Sequence, residues 1–306
     1  MKQNRRAEQF RSGAQSLSIL VVPDTHFRPN ESFDDTDRAG AVGRFALDKR
    51  PDVIIHMGDL VDMQSVSKWA GAKSVGGAGG SRSHERKRIR EDLACFREMQ
   101  RAMWAPIHRA NERHINRSRH RERVYTPRGI QLLGNHCGWL DRVPENIPEL
   151  DGLIGTFLLH EISEDNGLEC YDFREVVTIG GIDFSHNFPT GNSRQPVGIA
   201  QALNKWGKSL VFAHTHTVGY DRKPVGKDGA MMAYMAGCFM PPHRCGPFEW
   251  SGLSLLTEVA DGNALIQQFS YDQIMEGWGE GGYAQQLRQA RAAGAQLRYD
   301  AERAFE

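Results

Sequence analysis

The side chains best suited to chemistry in this sequence are carboxylates, imidazoles and one amide, and they come directly after short apolar runs. The runs span residues 17–23, 52–57, 129–133, 181–185 and 209–213. Apolar runs of this length are typical of strands that are buried on both faces in layered α/β proteins. The groups that follow the runs are Asp24-Thr25-His26, Gly58-Asp59-Leu60-Val61-Asp62, Gly134-Asn135-His136, His186 and His214-Thr215-His216.

The position of these groups predicts that they meet at one site. In layered α/β proteins the ligand crevice lies beyond the carboxyl ends of the strands, so groups that follow several strands converge there. Residues two apart in an extended chain point to the same side, so Asp24 and His26 can hold one ion, as can the two histidines of the last group. Adjacent residues point to opposite sides, which lets Asn135 face a metal while His136 faces a substrate.

The number and type of donors predict two metal ions. Seven nitrogen and oxygen donors are too many for one zinc site, which usually takes four. Donors of this kind without a thiolate suit two borderline divalent ions that share a bridging carboxylate. A lone DxH or HxH is nearly uninformative, and the prediction depends on all five groups occurring in this order. By contrast, His56 lies inside its apolar run and is interpreted as a structural residue.

In this order the five groups resemble the calcineurin-like metallophosphoesterase superfamily, whose pattern is DxH, GDxxD, GNH followed by an acid, H, and GHxH. The resemblance covers about residues 17–271, and the ordered set is highly specific. The stretches SVSKW, PEL, AGC and EWSGL are similar in style to phage and prophage members.

The resemblance implies a role for each matched position. Asp59 is implied as the carboxylate that bridges two metals, and Asp62 as an anchor of its loop. His136 is implied as the catalytic histidine beside the leaving group. The implied ligands are Asp24, His26 and His216 for one metal, and Asn135, His186 and His214 for the other.

Three positions differ from the family pattern, although every ligand position is kept. Cys137 stands where the family has Asp or Glu, Ala213 replaces the glycine before HxH, and Asn187 replaces a frequent glycine after the middle histidine. A neutral thiol stabilises an imidazolium less than a carboxylate does, so the group that orients His136 is left open. The candidates to replace the acid are Asp141 and Glu145.

The mixture of strands and helices predicts a layered α/β fold, and the resemblance implies two packed mixed β-sheets flanked by helices in a four-layer sandwich. The predicted organisation is a flexible basic arm at 1–16, a metallophosphoesterase domain at 17–275 with a basic helical insertion at about 82–128, and a C-terminal linker and helix at 276–306.

The activity that the resemblance implies is hydrolysis of phosphate esters by attack of a hydroxide that bridges two metals. The expected substrates are phosphodiesters of nucleic acids or nucleotides, which makes the protein a nuclease candidate. Manganese is the first expectation for the two divalent ions, with iron, nickel and zinc as alternatives because availability rather than affinity decides. A protein or small-molecule phosphomonoesterase is the alternative, and a scaffold without catalysis is the third reading.

The insertion concentrates positive charge in a chain of zero net charge. Residues 82–128 hold 14 Lys and Arg against 6 Asp and Glu, a surplus of eight. Because the insertion lies between two motifs, its helices are expected to begin and end near the metal mouth. Arginine suits bidentate phosphate contact, which favours DNA or RNA as a partner; the alternative is a solvated helical face. The predicted phosphate-binding residues are Arg113, Arg117, Arg119, Arg121 and Arg123.

Composition limits the setting of the protein. No apolar run approaches the roughly 20 residues of a membrane span, so no membrane association is expected. The five cysteines form no CxxC pair and are expected to be free thiols in a reducing cytoplasm, which is the host cytoplasm for a phage protein. A small second metal site at Cys238, His243 and Cys245 is conceivable but lacks a clear fourth ligand. The sequence leaves the oligomeric state open.

Overall fold

The computed structural model describes residues 16–29, 32–67, 88–116, 124–188, 198–226 and 229–281. The arm predicted at 1–16, apart from its last residue, and the helix predicted after residue 282 lie outside these ranges. Four of the five predicted phosphate-binding arginines, at 117, 119, 121 and 123, also lie outside them. Within these ranges, none of the helices combines the length and the apolar content that a bilayer crossing needs.

The described chain is an α/β structure with two mixed β-sheets. The first sheet has six strands in the order β11-β10-β1-β2-β3-β4 among the described residues. Strands β1 to β4 are parallel, and β10 and β11 extend the sheet as an antiparallel hairpin beside β1. The strands are β1 (Leu17–Val22), β2 (Val53–His56), β3 (Arg128–Leu132), β4 (Glu169–Tyr171), β10 (Gly252–Ala260) and β11 (Asn263–Ser270).

The second sheet has five described strands in the order β5-β6-β7-β9-β8. The turn predicted at Gly180-Gly181 joins β5 to β6, and both glycines have positive φ (58° and 81°), as a tight hairpin requires. Strand β8 was not predicted, because it is an edge strand whose side chains are mostly exposed and polar. The strands are β5 (Val177–Ile179), β6 (Ile182–Phe184), β7 (Leu210–Phe212), β8 (Val218–Val225) and β9 (Gly229–Ala236).

The two sheets pack face to face and are covered by helices on their outer faces. Side chains along β1 alternate between two core layers. Ile19 and Val21 pack between the sheets, whereas Leu20 and Val22 face the helices. Helix α5 covers the second sheet, and helices α1, α2, α4 and α6 cover the first. The helices are α1 (Ser32–Lys49), α2 (Ile89–Asn116), α3 (Arg142–Asn146), α4 (Phe157–Asp165), α5 (Ile199–Trp206) and α6 (Tyr271–Trp278).

Helix α2 runs along the first sheet from the carboxyl ends of its strands to their amino ends, which differs from the expectation for the insertion. The parallel pairing of β2 and β3 forces the chain to return from the carboxyl end of one strand to the amino end of the next. Near the start of α2, Asp92 accepts a hydrogen bond from the backbone N of Ser65, 3.0 Å away, in the loop that follows β2. Beyond its end, the Tyr125 hydroxyl donates to the carbonyl oxygen of Pro51, 2.6 Å away, just before β2 begins.

A helix of 28 residues is about 42 Å long. Its far end therefore lies at the amino edge of the strands, opposite the edge where the polar groups lie. The expectation that the insertion begins and ends near the metal mouth is wrong for its end, and Arg113 lies far from the mouth. The sequence could not show this, because it predicted one or two helices and a single long helix crosses the sheet once.

Helix α6 spans residue 275, where the sequence analysis placed a boundary. Ser270 caps the helix by accepting from the backbone N of Gln273, and the Gln273 side chain completes a capping box. The Trp278 ring then packs edge-on against Phe45 of α1, with ring centroids 4.8 Å apart. The described domain thus includes all of α6.

Candidate metal centre

The five polar groups lie together at the carboxyl edge of both sheets, each on the loop that follows its strand. Direct backbone hydrogen bonds hold the loops side by side: the backbone N of His26 donates to the carbonyl oxygen of Asp59 (3.0 Å), and the backbone N of Phe239 donates to that of Asp24 (2.7 Å). The strands and the groups that they position are β1 with Asp24 and His26, β2 with Asp59 and Asp62, β3 with Asn135 and His136, β6 with His186, and β7 with His214 and His216.

The backbone is strained where the side chains converge. His26, Asp59, His214 and His216 all have positive φ, between 45° and 70°. A residue with a side chain pays about 1–3 kcal/mol in this region, and such residues cluster at functional sites. The strain turns each side chain toward the centre at a point where an ordinary strand exit would point it elsewhere.

Two glycines allow the loops to approach this closely. A Cβ atom on Gly58 would lie 2.5 Å from Nδ1 of His186, and one on Gly134 would lie 2.1 Å from Oδ1 of Asp59. Both separations are far below van der Waals contact. Any side chain at either position would therefore displace a central residue.

The first cluster is formed by Asp24, His26 and His216. Nε2 of His216 lies 3.1 Å from Oδ2 of Asp24 and 3.1 Å from Nε2 of His26. Nε2 of His26 is 3.8 Å from the same carboxylate oxygen. Asp24 is fully buried and His26 nearly so, so three donor atoms face one another with little access to water.

The second cluster is formed by Asp59, His186 and His214, with Asn135 beside it. Nε2 of His186 lies 3.4 Å from Oδ2 of Asp59 and 3.0 Å from Oδ1 of Asn135. The donor atoms of Asp59, His186 and His214 lie within 4.8 Å of one another. The donor atoms of Asp59, His26 and His136 also lie within 4.8 Å of one another. Asp59 therefore lies between the two clusters.

Oxygen atoms behind the histidines fix which ring nitrogen faces the centre. Nδ1 of His186 lies 2.9 Å from the carbonyl oxygen of Met57, and Nδ1 of His216 lies 3.1 Å from Oε1 of Glu249. A ring that donates its Nδ1–H to an oxygen presents the lone pair of Nε2 on its other side. This arrangement is the usual support of histidines that bind metals.

The distance between two of the imidazole nitrogens also favours a bound cation. The Nε2 atoms of His26 and His216 point at each other at 3.1 Å, and two neutral imidazole lone pairs at that distance repel. A shared cation, or a proton, removes the repulsion. The buried Asp and His groups of the described chain can therefore bind metal ions.

The charges of the centre are strongly coupled. Burial opposes ionisation of Asp24 and Asp59, but the neighbouring histidines outweigh it and lower the pKa of both carboxyls. Burial and the nearby His186 lower the pKa of His214 to about 4, so this imidazole is neutral at pH 7 and free to act as a ligand.

The group that orients His136 is Asp62, which corrects the expectation of Asp141 or Glu145. Nδ1 of His136 lies 2.9 Å from the carbonyl oxygen of Asp62 and 3.4 Å from its carboxylate. Although burial lowers the pKa of His136, the carboxylates of Asp59 and Asp62 raise it to about 9. Asp141 instead accepts from Thr156, 2.7 Å away, and Glu145 is exposed.

Cys137 turns away from the centre into the apolar core. Its side chain is fully buried with Trp139 and Leu140, and burial raises the pKa of its thiol well above the ordinary value. Trp139 stacks on His136 with ring centroids 4.0 Å apart. Cys137 thus contributes packing, while the acid beside His136 comes from the loop after β2.

His56 is structural, as predicted. It is buried beneath the centre, where its Nε2 lies 3.2 Å from the Thr25 hydroxyl and its Nδ1 lies 3.1 Å from the Gln131 amide nitrogen. Burial lowers its pKa to about 3. This neutral imidazole links the loop after β1 to strand β3.

Three residues of the site were not predicted: Trp139, Arg244 and Glu249. Arg244 donates to the carbonyl oxygen of His26, 2.8 Å away, and lies 3.9 Å from the Asp62 carboxylate. Glu249 contacts His216 from 33 residues away along the chain. Neither belongs to a spacing pattern, although Glu249 is the first residue of the stretch EWSGL.

Glu249→Gln is expected to weaken metal binding while leaving the fold intact. The amide keeps the size of the side chain but removes the charge behind His216, and losing such a partner typically costs about 10–100-fold in metal affinity. Titration with Mn²⁺ measures the loss. Glu276→Gln, an exposed change on α6, is the control. Equal affinity in the two variants would show that Glu249 does not support the centre.

Comparison with known proteins finds similarity to phage proteins and supplies no function. No protein-family model matches it. It is 24% identical over 220 residues to the Gene 54 protein of Mycobacterium phage L5, covering 70% of this chain and 74% of that protein. It is 39% identical over 59 residues to the Gene 54 protein of Mycobacterium phage D29, covering 19% of this chain and 22% of that protein.

One solved structure aligns over 84% of this chain and 100% of its own, with 12% identity and a TM-score of 0.41. A likeness of that degree carries no argument about fold or function.

Proposed function

We propose that this protein is a phosphoesterase with a dinuclear metal centre, of the calcineurin-like metallophosphoesterase type. The observation that carries the proposal is the pair of clusters around Asp24 and Asp59, with histidines that are held from behind by oxygen atoms. Asp24, His26 and His216 would hold one ion, and Asn135, His186 and His214 the other, with Asp59 shared. When bound, two divalent cations supply Lewis-acid chemistry: they lower the pKa of water and offset charge on phosphate oxygens.

His136 is the residue of this chain that handles the leaving group. Its side chain is 21% exposed, and neither proposed ligand set uses it, so it is free to meet a substrate. Asp62 holds Nδ1, which leaves Nε2 to donate a proton to the departing oxygen. The stacked Trp139 keeps the ring in that orientation.

The surroundings of the centre favour a phosphodiester with more than one phosphate. Ser65, Arg88, Ile89 and Arg90 line an open surface depression at the start of α2. Ser65 lies three residues beyond Asp62, and the exposed arginines suit contact with a phosphate that neighbours the reacting one. This surface is the proposed phosphate contact in place of Arg113, which lies in the last turn of α2.

The test is a substrate panel with Mn²⁺ that contains a phosphomonoester, a bis-ester, a cyclic nucleotide, and single- and double-stranded DNA. The proposal expects cleavage of diesters to be faster than that of the monoester, to stop with chelator and to return with Mn²⁺. Faster monoester cleavage would favour the phosphomonoesterase alternative, and no cleavage at all would favour the scaffold.

Arg90→Gln is expected to weaken DNA binding and flatten its salt dependence. Each phosphate contact contributes about 0.9 to the log–log slope for duplex DNA, so one lost contact lowers the slope by about that amount. The matched control is Arg113→Gln, at the other end of the same helix, which should keep the wild-type slope. If the salt-dependence slope falls only in the Arg113 variant, nucleic acid binds at the end of α2 that contains Arg113.

A further inference from the structure

A second group of donors lies beside the centre, and its chemistry is different. Sγ of Cys238 is 3.8 Å from Sγ of Cys245, and a carboxylate oxygen of Glu249 lies within 4.8 Å of both sulfurs. Cys238 is buried two residues beyond the end of β9, and Cys245 is half-buried further along the same loop. His243, which the sequence suggested as the third donor, is exposed and does not belong to the group.

From this arrangement we infer that Cys238, Cys245 and Glu249 form a separate site for a thiophilic divalent cation of the zinc type. Two sulfurs that each lie 2.3 Å from a tetrahedral zinc ion are about 3.8 Å apart, which matches the separation of these thiols. A disulfide needs about 2.05 Å. A solvent molecule completes four-fold coordination at the half-exposed side of Cys245.

Glu249 can bind a metal at the new site and keep its contact with His216. Its Oε1 faces His216, and its Oε2 accepts from the backbone N of Gly246, 2.8 Å away. Each carboxylate oxygen has two lone pairs, so both contacts leave room for a metal bond. Arg244, next to Cys245 in the chain, places positive charge near the thiol of Cys245.

Ligand type keeps the two sites distinct. The centre described above has only nitrogen and oxygen donors among the described residues, whereas this group has two sulfurs, which prefer zinc over manganese. A bound cation would tether the loop 238–249 at both ends. The same loop carries Arg244 and Glu249 to the first centre, so the cation would stabilise their positions. The inference does not depend on the proposed catalytic activity.

Cobalt substitution of the full chain, under reducing conditions, tests the inference. Thiolate ligation of Co²⁺ produces a sulfur-to-cobalt charge-transfer band in the near ultraviolet, which nitrogen and oxygen ligands do not produce. The wild-type protein is expected to show this band and to bind one more Co²⁺ than Cys245→Ser, which should lose the band. Cys170→Ser, a half-buried thiol on β4, is the matched control and should keep it.

Asp59→Asn distinguishes the Asp/His centre from the sulfur site. This variant should lose cobalt from the Asp/His centre and keep the charge-transfer band. Circular dichroism of each variant verifies folding; Cys245→Ala is the replacement if the serine variant unfolds. A wild-type protein without the band would overturn the inference. So would a band that survives in the Cys245 variants, or a mass lower by two hydrogens in the reduced preparation, which would reveal a disulfide.

Discussion

Asp59→Asn is expected to abolish metal-dependent hydrolysis and to weaken both metal sites at once. The Asp59 carboxylate lies 3.4 Å from Nε2 of His186 and accepts from the backbone N of His136, 2.9 Å away. It also belongs to the compact group that contains His26. Because one carboxylate serves both clusters, replacing it with an amide of the same shape removes negative charge from both.

The expected loss of turnover is about 10³-fold or more. Removal of a ligand that supports several kcal/mol of charge stabilisation has this effect, since about 4 kcal/mol corresponds to about 10³-fold. Steady-state hydrolysis of a diester with Mn²⁺ measures it. Asp52→Asn, at the opposite end of β2, is the control, because its carboxylate contacts only Ser18 among the described hydrogen bonds. Full turnover by the Asp59 variant would contradict the shared role.

His136→Ala is expected to lose turnover while keeping its metals. Loss of general-acid assistance typically costs about 10²–10⁴-fold on esters with a poor leaving group. The loss should be smaller for nitrophenyl diesters, because nitrophenolate departs without protonation. Parallel assays of both ester types, with metal analysis of the same samples, give the comparison.

The control for His136 is His160→Ala, a histidine on α4 that pairs with Asp172 outside the centre. That variant should match the wild type on both esters. Equal losses of the His136 variant on both ester types would contradict the acid role and would leave His136 as a substrate-binding residue.

The site was predictable where strand ends position it. Buried strands appear in the sequence as apolar runs, and the first polar residues after them fall at one edge of the sheets because parallel strands share their direction. Asp24, His186 and His214 follow this rule, so local pattern was enough to bring them together. The hairpin turns at Gly180-Gly181 and at residues 261–262 were predictable for a similar reason, since glycine tolerates the positive φ that they need.

Contacts between distant parts of the chain were not predictable. The acid beside His136 was sought among its sequence neighbours, but Asp62 comes from another strand, 74 residues away. Arg113 was expected near the polar groups because the charge of a helix does not show which of its ends lies there. The direction of α2 follows from the parallel pairing of β2 and β3, which is a tertiary fact.

Electron paramagnetic resonance during titration of the wild-type protein with Mn²⁺ tests whether the centre is dinuclear. Two ions that share Asp59 must lie close enough for their spins to couple, whereas the sulfur site should not compete for manganese. We predict that the wild type binds two Mn²⁺ ions with an exchange-coupled spectrum, and that Asp59→Asn loses the coupling. A single bound ion, or two ions with uncoupled spectra, would contradict a dinuclear centre.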